Sequence, residues 1–255
     1  MRDVSRASPR AGSLVQAAAG GLTAAAMIAF PLARRGSVVR RVISDVVVTG
    51  LAAATTVAAT TRWGPGRTAL AALATATGTG VVERVGTATG VPFGRYRYTG
   101  RLRPTVAGVP AVVPAAWWAM AVPARETAHA ALGRRSSAAT RIVVGAAALT
   151  AWDLFLDPQM TGEGFWRWTG GGRYRGIPLS NYAGWFVTGL VVMSVLELTL
   201  PVTEPDASLV AEYAVMGAME TVGFGAFFGD RLVALTGGVG VLPIAAIAVG
   251  RVARG

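Results

Sequence analysis

The sequence predicts an all-α, polytopic integral membrane bundle of about seven or eight transmembrane helices. Three observations predict it. Hydrophobic residues make up 53% of the 255 residues and the mean hydropathy is +0.49. Eight apolar runs each approach the roughly 20 residues that span a bilayer as a helix. The breaks between these runs carry Gly, Pro and Arg, the residues of turns and membrane interfaces.

The first run, 13 to 33, follows Arg2, Arg6 and Arg10, as the h-region of a signal peptide follows its basic n-region. It is longer than a usual h-region and ends in Pro31 to Arg35 without a small-x-small cleavage site, so it reads as a retained first helix. Further runs cover 42 to 61, 68 to 90, 106 to 124, 139 to 157, 181 to 200, 209 to 228 and 232 to 250. Small residues within them, including Gly20, Gly21, Gly78, Gly80 and Gly217, allow close helix approach. The predicted organisation is a basic N-terminal tail (1 to 12), one transmembrane domain (13 to 250) and a short C-terminal tail (251 to 255). No internal repeat of 20 to 50 residues is visible. Two long connections, 91 to 105 and 158 to 180, have the Gly, Pro, Arg and aromatic content of ordered interfacial loops.

The composition also excludes chemistries. There is no cysteine, so disulfides, thiolate nucleophiles and Cys-ligated metals are absent. The formal charge of +11 comes entirely from Arg, with no Lys. Those Arg are scattered at helix ends, where they anchor loops to anionic headgroups, and they form no basic stripe for nucleic acid. The expected setting is therefore multi-pass in the cell membrane, with the lipid bilayer as partner and no nucleic acid. Arg divides almost evenly between the two sides, so orientation stays open.

Helix parity places Glu83, the 91 to 105 loop, Asp153, Asp157, the 158 to 180 loop and Asn181 in one leaflet. Asp153 and Asp157 are four residues apart and share one helix face. An ionisable residue at membrane depth costs roughly 2.5 to 3.5 kcal/mol on insertion scales, which marks these carboxylates as functional candidates. Pro158 is predicted to end the fifth helix at Asp157, leaving Asp157 at the headgroup boundary and Asp153 one turn deeper. The competing structural readings are a solvated helix end for Asp157 and an ion pair with Arg84 for Asp153. Trp152, Trp166, Trp168 and Trp185, with Phe93, Tyr96, Tyr98, Tyr174 and Tyr182, cluster in the same leaflet. They read either as an interfacial aromatic belt or as rings facing a cation.

Other features carry less. Gly170 to Gly172 lacks phosphate-loop spacing and reads as a turn. Glu126 and His129 have the i, i+3 spacing of half a di-iron motif, but no second half exists and they fall at the opposite membrane face, so no metal site is expected. Glu197, Glu212 and Glu220 lie in the sixth and seventh helices, with Glu220 deepest and a candidate to line a cavity.

The segments G-V-P-F-G-R-Y-R-Y-T-G-R-L-R-P at 90 to 104, G-V-P at 108 to 110, W-D-L-F-L-D-P at 152 to 158, G-x-W-x-W ending at Trp168 and G-I-P-L-S-N-Y-A-G-W at 176 to 185 together resemble the carotenoid biosynthesis membrane-protein family. Its known members are carotenoid hydratases of the gamma-carotene and bisanhydrobacterioruberin type. The resemblance covers about 80 to 200. It implies a carotenoid or other long isoprenoid substrate, addition of water to a terminal isopropylidene double bond to give a tertiary alcohol, no cofactor, and other carotenoid pathway enzymes as partners.

Such a reaction starts with protonation of an alkene carbon, which needs a carboxylic acid that keeps its proton near neutral pH, as apolar surroundings favour. The residues fit this with Asp153 as acid, Asp157 or Glu83 as water-orienting base and Asn181 as hydrogen-bonding support. Trp152, Trp166, Trp168, Trp185, Phe93 and Tyr96 are the expected substrate-facing rings. Rival readings are an intramembrane Mg²⁺-dependent prenyltransferase using D-x-x-x-D, a carotenoid cyclase or isomerase, and a non-catalytic carotenoid-binding protein.

Overall fold

The computed structural model describes residues 9 to 254, and it is the all-α helical bundle the sequence predicts. Among these residues the helices are α1 Pro9–Ala29, α2 Val38–Trp63, α3 Pro65–Thr89, α4 Val112–Leu132, α5 Ala138–Gly162, α6 Leu179–Thr199, α7 Ala207–Val222 and α8 Arg231–Val252. Residues 1 to 8 of the predicted N-terminal tail, and residue 255, lie outside the described residues. Five helices are long and apolar enough to cross a membrane by length and composition: α1, α2, α5, α6 and α8. The other three fall short for local reasons. α3 is diluted by Thr and Gly, α4 carries Arg125 and Glu126, and α7 has 16 residues.

Local chemistry sets the helix ends. Ser37 accepts from the Arg40 N–H to open α2, and Ser137 with Thr140 forms a reciprocal capping box at α5. Asp206 and Asp230 accept from the first-turn N–H groups of α7 and α8. α3 ends at Gly90, whose φ of 85° is the left-handed cap that favours glycine.

Two predicted boundaries are corrected. The run 106 to 124 does not start as helix: Thr105–Val106 (β2) pairs with Val109–Pro110 (β3) in a small hairpin, and α4 begins at Val112. At its other end α4 continues through charged residues to Leu132, because those charges are satisfied by one another. Arg125 bonds Glu126 at 2.7 Å and Glu197 at 3.0 Å, and Arg141 reaches Glu197 at 2.6 Å. The Glu126 carboxylate also accepts the Asp206 N–H at 3.0 Å, in the α6–α7 connection. Glu126 therefore sits at the far end of the bundle from the 163 to 178 connection, as helix parity predicts, and its partner is Arg125.

The second correction is that α5 does not stop at Asp157. It runs through Pro158 to Gly162. A proline inside a helix leaves the carbonyl four residues earlier without its N–H donor. That carbonyl belongs to Leu154, and the Tyr174 hydroxyl donates to it at 2.9 Å, while also lying 2.5 Å from Thr236 Oγ1 on α8. The replacement donor keeps the helix intact and latches the 163 to 178 connection to α5 and α8. Burial pushes the Tyr174 phenol up, so it remains a donor. Tyr174→Phe should leave the Leu154 carbonyl unpaired and cost about 1 to 3 kcal/mol, read as a lower unfolding midpoint in detergent; an unchanged midpoint would mean another donor replaces the hydroxyl.

The two long connections meet over the end of the bundle. Tyr96–Tyr98 (β1) pairs antiparallel with Trp166–Trp168 (β4), in register Tyr96 with Trp168 and Tyr98 with Trp166. Side chains alternate across a strand, so Y-R-Y and W-R-W turn four aromatic rings inward, while Arg97 and Arg167 face out and are exposed. Phe93 is drawn in beside them over Gly184 of α6. A Cβ there would lie 2.8 Å from the Pro92 carbonyl oxygen and 2.9 Å from the Phe93 ring, so only glycine permits this approach.

Candidate functional site

Beneath this clamp lies a cavity of about 370 Å³, lined by helices α1 to α7 and by the loop residues that cap it. Its polar end is built by α3, α5 and α6. Glu83 on α3 is buried and receives three donors: the Tyr96 hydroxyl, the Tyr98 hydroxyl at 2.6 Å and the Trp117 indole at 3.2 Å. Burial pushes both phenols up, with the Glu83 carboxylate adding to it, so both remain protonated donors. Asp157 on α5 accepts the Trp166 indole at 3.0 Å on one oxygen and the Asn181 amide on the other. The same Asn181 nitrogen donates to Asp153 at 2.9 Å, so one amide bridges both carboxylates. Asp153 is fully buried, and its second oxygen has no hydrogen-bond partner.

The sequence-derived candidates thus converge, with different exposures to the cavity. Glu83, Asp157, Asn181, Phe93, Tyr96, Trp152, Trp166, Trp168 and Trp185 line it; Asp153 stands behind them in the wall. Asp157 is only 3% exposed, which corrects the solvated helix-end reading. Arg84 is exposed and Asp153 is held by Asn181, so the Arg84 ion pair is corrected as well. Trp152, Trp166 and Trp185 are buried inside the bundle, unlike residues of a lipid-facing belt. Trp185 stacks on Trp117 with centroids 3.9 Å apart and meets Trp152 edge-on at 6.0 Å. Tyr96 stacks on Trp168 at 5.6 Å.

Sequence reasoning missed Trp117, which both donates to Glu83 and walls the cavity. Its only signal is a Trp pair inside an Ala- and Val-rich helix, indistinguishable from a packing residue until α3 is set against α4. Glu220 on α7 does line the cavity and is buried.

Away from Glu83 and Asp157 the lining is mostly apolar, with Ser44 and Asp45 of α2 and Glu220 of α7 set into it, and the cavity runs out between α1 and α7. Ile28, Val222 and Phe227 line it and are also 64%, 58% and 61% exposed. The opening therefore faces the lipid side of the bundle. At the opposite end of this slot Gln16 of α1 bonds Ser208 of α7 at 2.7 Å.

The site is thus a laterally open, largely apolar cavity in a helical bundle, closed at one end by carboxylates and aromatic rings. The chain belongs to the carotenoid biosynthesis protein family, whose match spans residues 43–250. It is 33% identical over 114 residues to the bisanhydrobacterioruberin hydratase of Haloarcula japonica; the match takes in 44% of this chain and 39% of that relative's length. No solved structure matches the chain.

Proposed function

We propose that the protein is a carotenoid hydratase that adds water across a terminal isopropylidene double bond of a long polyene to give a tertiary alcohol, without a cofactor. The observation that carries this reading is the gathering of Glu83, Asp157 and Asn181 at the blind end of an aromatic-walled cavity whose other end opens to lipid. The polyene tail stays in the slot while its terminus meets the acids. The hydratase name of the relative supports the same reaction class.

In this mechanism Asp157 is the acid that touches substrate, because it faces the cavity. Asp153 and Asp157, bridged through Asn181, share a single proton, since two carboxylates this close do not both carry charge cheaply, and it is from Asp157 that this proton passes to the substrate. Protonation of the less substituted alkene carbon leaves a tertiary cation beside the Trp152, Trp166 and Trp185 faces, which attract cations by about 0.5 to 2 kcal/mol. Glu83 already receives three donors, so a carboxylate is satisfied there without a proton of its own. It orients the attacking water and accepts the proton released as the C–O bond forms. One proton goes from the aspartates to carbon and one from water to Glu83; its return to the aspartates restores the starting state. A diphosphate-binding role finds less support, because Trp166 and Asn181 already engage both oxygens of Asp157.

The test is pigment mass spectrometry in ¹⁸O-labelled water, with oxygen excluded. Hydration predicts a product heavier than substrate by one water and carrying the label. An oxygenated product that forms only when O₂ is readmitted, and without the label, would make the enzyme a hydroxylase, and unchanged copurifying pigment would make it a carrier.

A further inference from the structure

A second pocket, of about 430 Å³, opens on the same side of the bundle as the site. Its character is different. Arg35, Arg40, Glu163, Arg175 and Asp230 ring it, with Arg40 paired to Glu163 at 2.8 Å and Arg175 to Asp230 at 2.7 Å. These groups sit at the α1–α2 and α7–α8 turns, at the end of α5 and in the α5–α6 connection, where a membrane protein meets water. Two residues line both this polar pocket and the aromatic cavity: Gln159 and Phe228.

Their positions give the shared wall its interest. Gln159 is two residues beyond Asp157 on the stretch of α5 that Pro158 and Tyr174 shape. Phe228 follows the π-helical turn Gly223–Phe227, a rare geometry that recurs at functional positions. Its ring meets Phe30 edge-on at 5.9 Å, and the Arg40 guanidinium lies 5.7 Å from its centre. One amide and one ring thus face both the ionic pocket and the cavity that holds the acids.

We propose that the ionic pocket is the water inlet of the site, with Gln159 and Phe228 as the gate through which water reaches Asp157, separate from the lipid-facing slot. The proposal rests on the hydration reading and adds its second substrate's route. The inlet decides the fate of the cation. Capture by water forms the C–O bond and releases a proton to the base; without water, the cation loses a proton from an adjacent carbon and returns to an alkene.

The chain is free of cysteine, so one introduced thiol is a unique reporter. Gln159→Cys and Met120→Cys, the latter buried in the cavity's apolar wall, are treated in permeabilised membranes with a charged, membrane-impermeant methanethiosulfonate. Gln159→Cys should label at least about tenfold faster, because the reagent attacks a thiolate and thiolates need water, and adding Phe228→Ala should speed it further. In D₂O, Gln159→Leu should shift product from alcohol towards recovered alkene carrying deuterium. Equal labelling at the two positions, or an unchanged alcohol-to-deuterated-alkene ratio, overturns the inlet. Labelling is independent of turnover: if the native protein makes no alcohol while Gln159→Cys labels fast, the hydration reading falls and the inlet stands.

Discussion

Asp157→Asn is expected to lower alcohol formation by about 10² to 10⁴, the usual loss when a general acid is removed, while pigment still copurifies. The amide keeps the size of the carboxyl group and can still accept the Trp166 indole, with its N–H₂ turned to the Asn181 amide, which keeps its bond to Asp153, so the clamp over the site should persist. What it lacks is a proton acidic enough to reach carbon. Asp153→Asn should also slow turnover, but less, because Asp153 acts through Asn181 from behind the cavity wall and does not touch substrate. The two rates, measured side by side with pigment retention as the folding control, decide the assignment. A larger loss from Asp153→Asn would return the donor role to Asp153.

Glu83→Gln carries the second large effect, a loss of about 10² or more if Glu83 is the base. Three donors point at this side chain. A glutamine offers one acceptor oxygen and turns an N–H₂ towards donors that have nothing to accept with, so some of Tyr96, Tyr98 and Trp117 lose their partner. The expected signature is loss of alcohol with deuterium exchange into the alkene retained, because the aspartate pair still protonates carbon. Loss of both reactions together would instead assign Glu83 to the protonation step.

The helices and their leaflet were legible because burial in lipid leaves a long apolar run as its trace, and parity then fixes which ends share a side. That reasoning placed Glu83, Asp153, Asp157 and Asn181 in one leaflet and expected Glu83, Asp153 and Asn181 to share a cavity. It took Asp153 as the acid, whereas Asp157 is the one of the two that lines the cavity. The i, i+4 spacing says that both share a face, whereas the rotation of α5 against α6 decides which one meets the cavity. Pro158 misled for a related reason: its local effect is to end a helix, and the donor that offsets it, Tyr174, comes sixteen residues later from a loop. The β1–β4 clamp is three residues on each side, too short for a periodic signal, although Y-R-Y and W-R-W carry its alternation. Arg125 and Glu126 looked like a helix exit because their partners, Arg141 and Glu197, belong to other helices.

α1 has a consequence of another kind. Only 11% of its span is buried, against 39% for α2, its packing partner, and it meets α7 through the Gln16–Ser208 bond. A helix so little gripped by protein takes its tilt from the thickness of the surrounding hydrocarbon. In a thin bilayer α1 leans and in a thick one it stands, and the gap it borders with α7 changes width accordingly. If the protein takes up a long polyene as proposed, the acyl chain length of the host membrane is expected to set how readily it enters, read as product formed in liposomes of different acyl length, with no change in any residue that meets it.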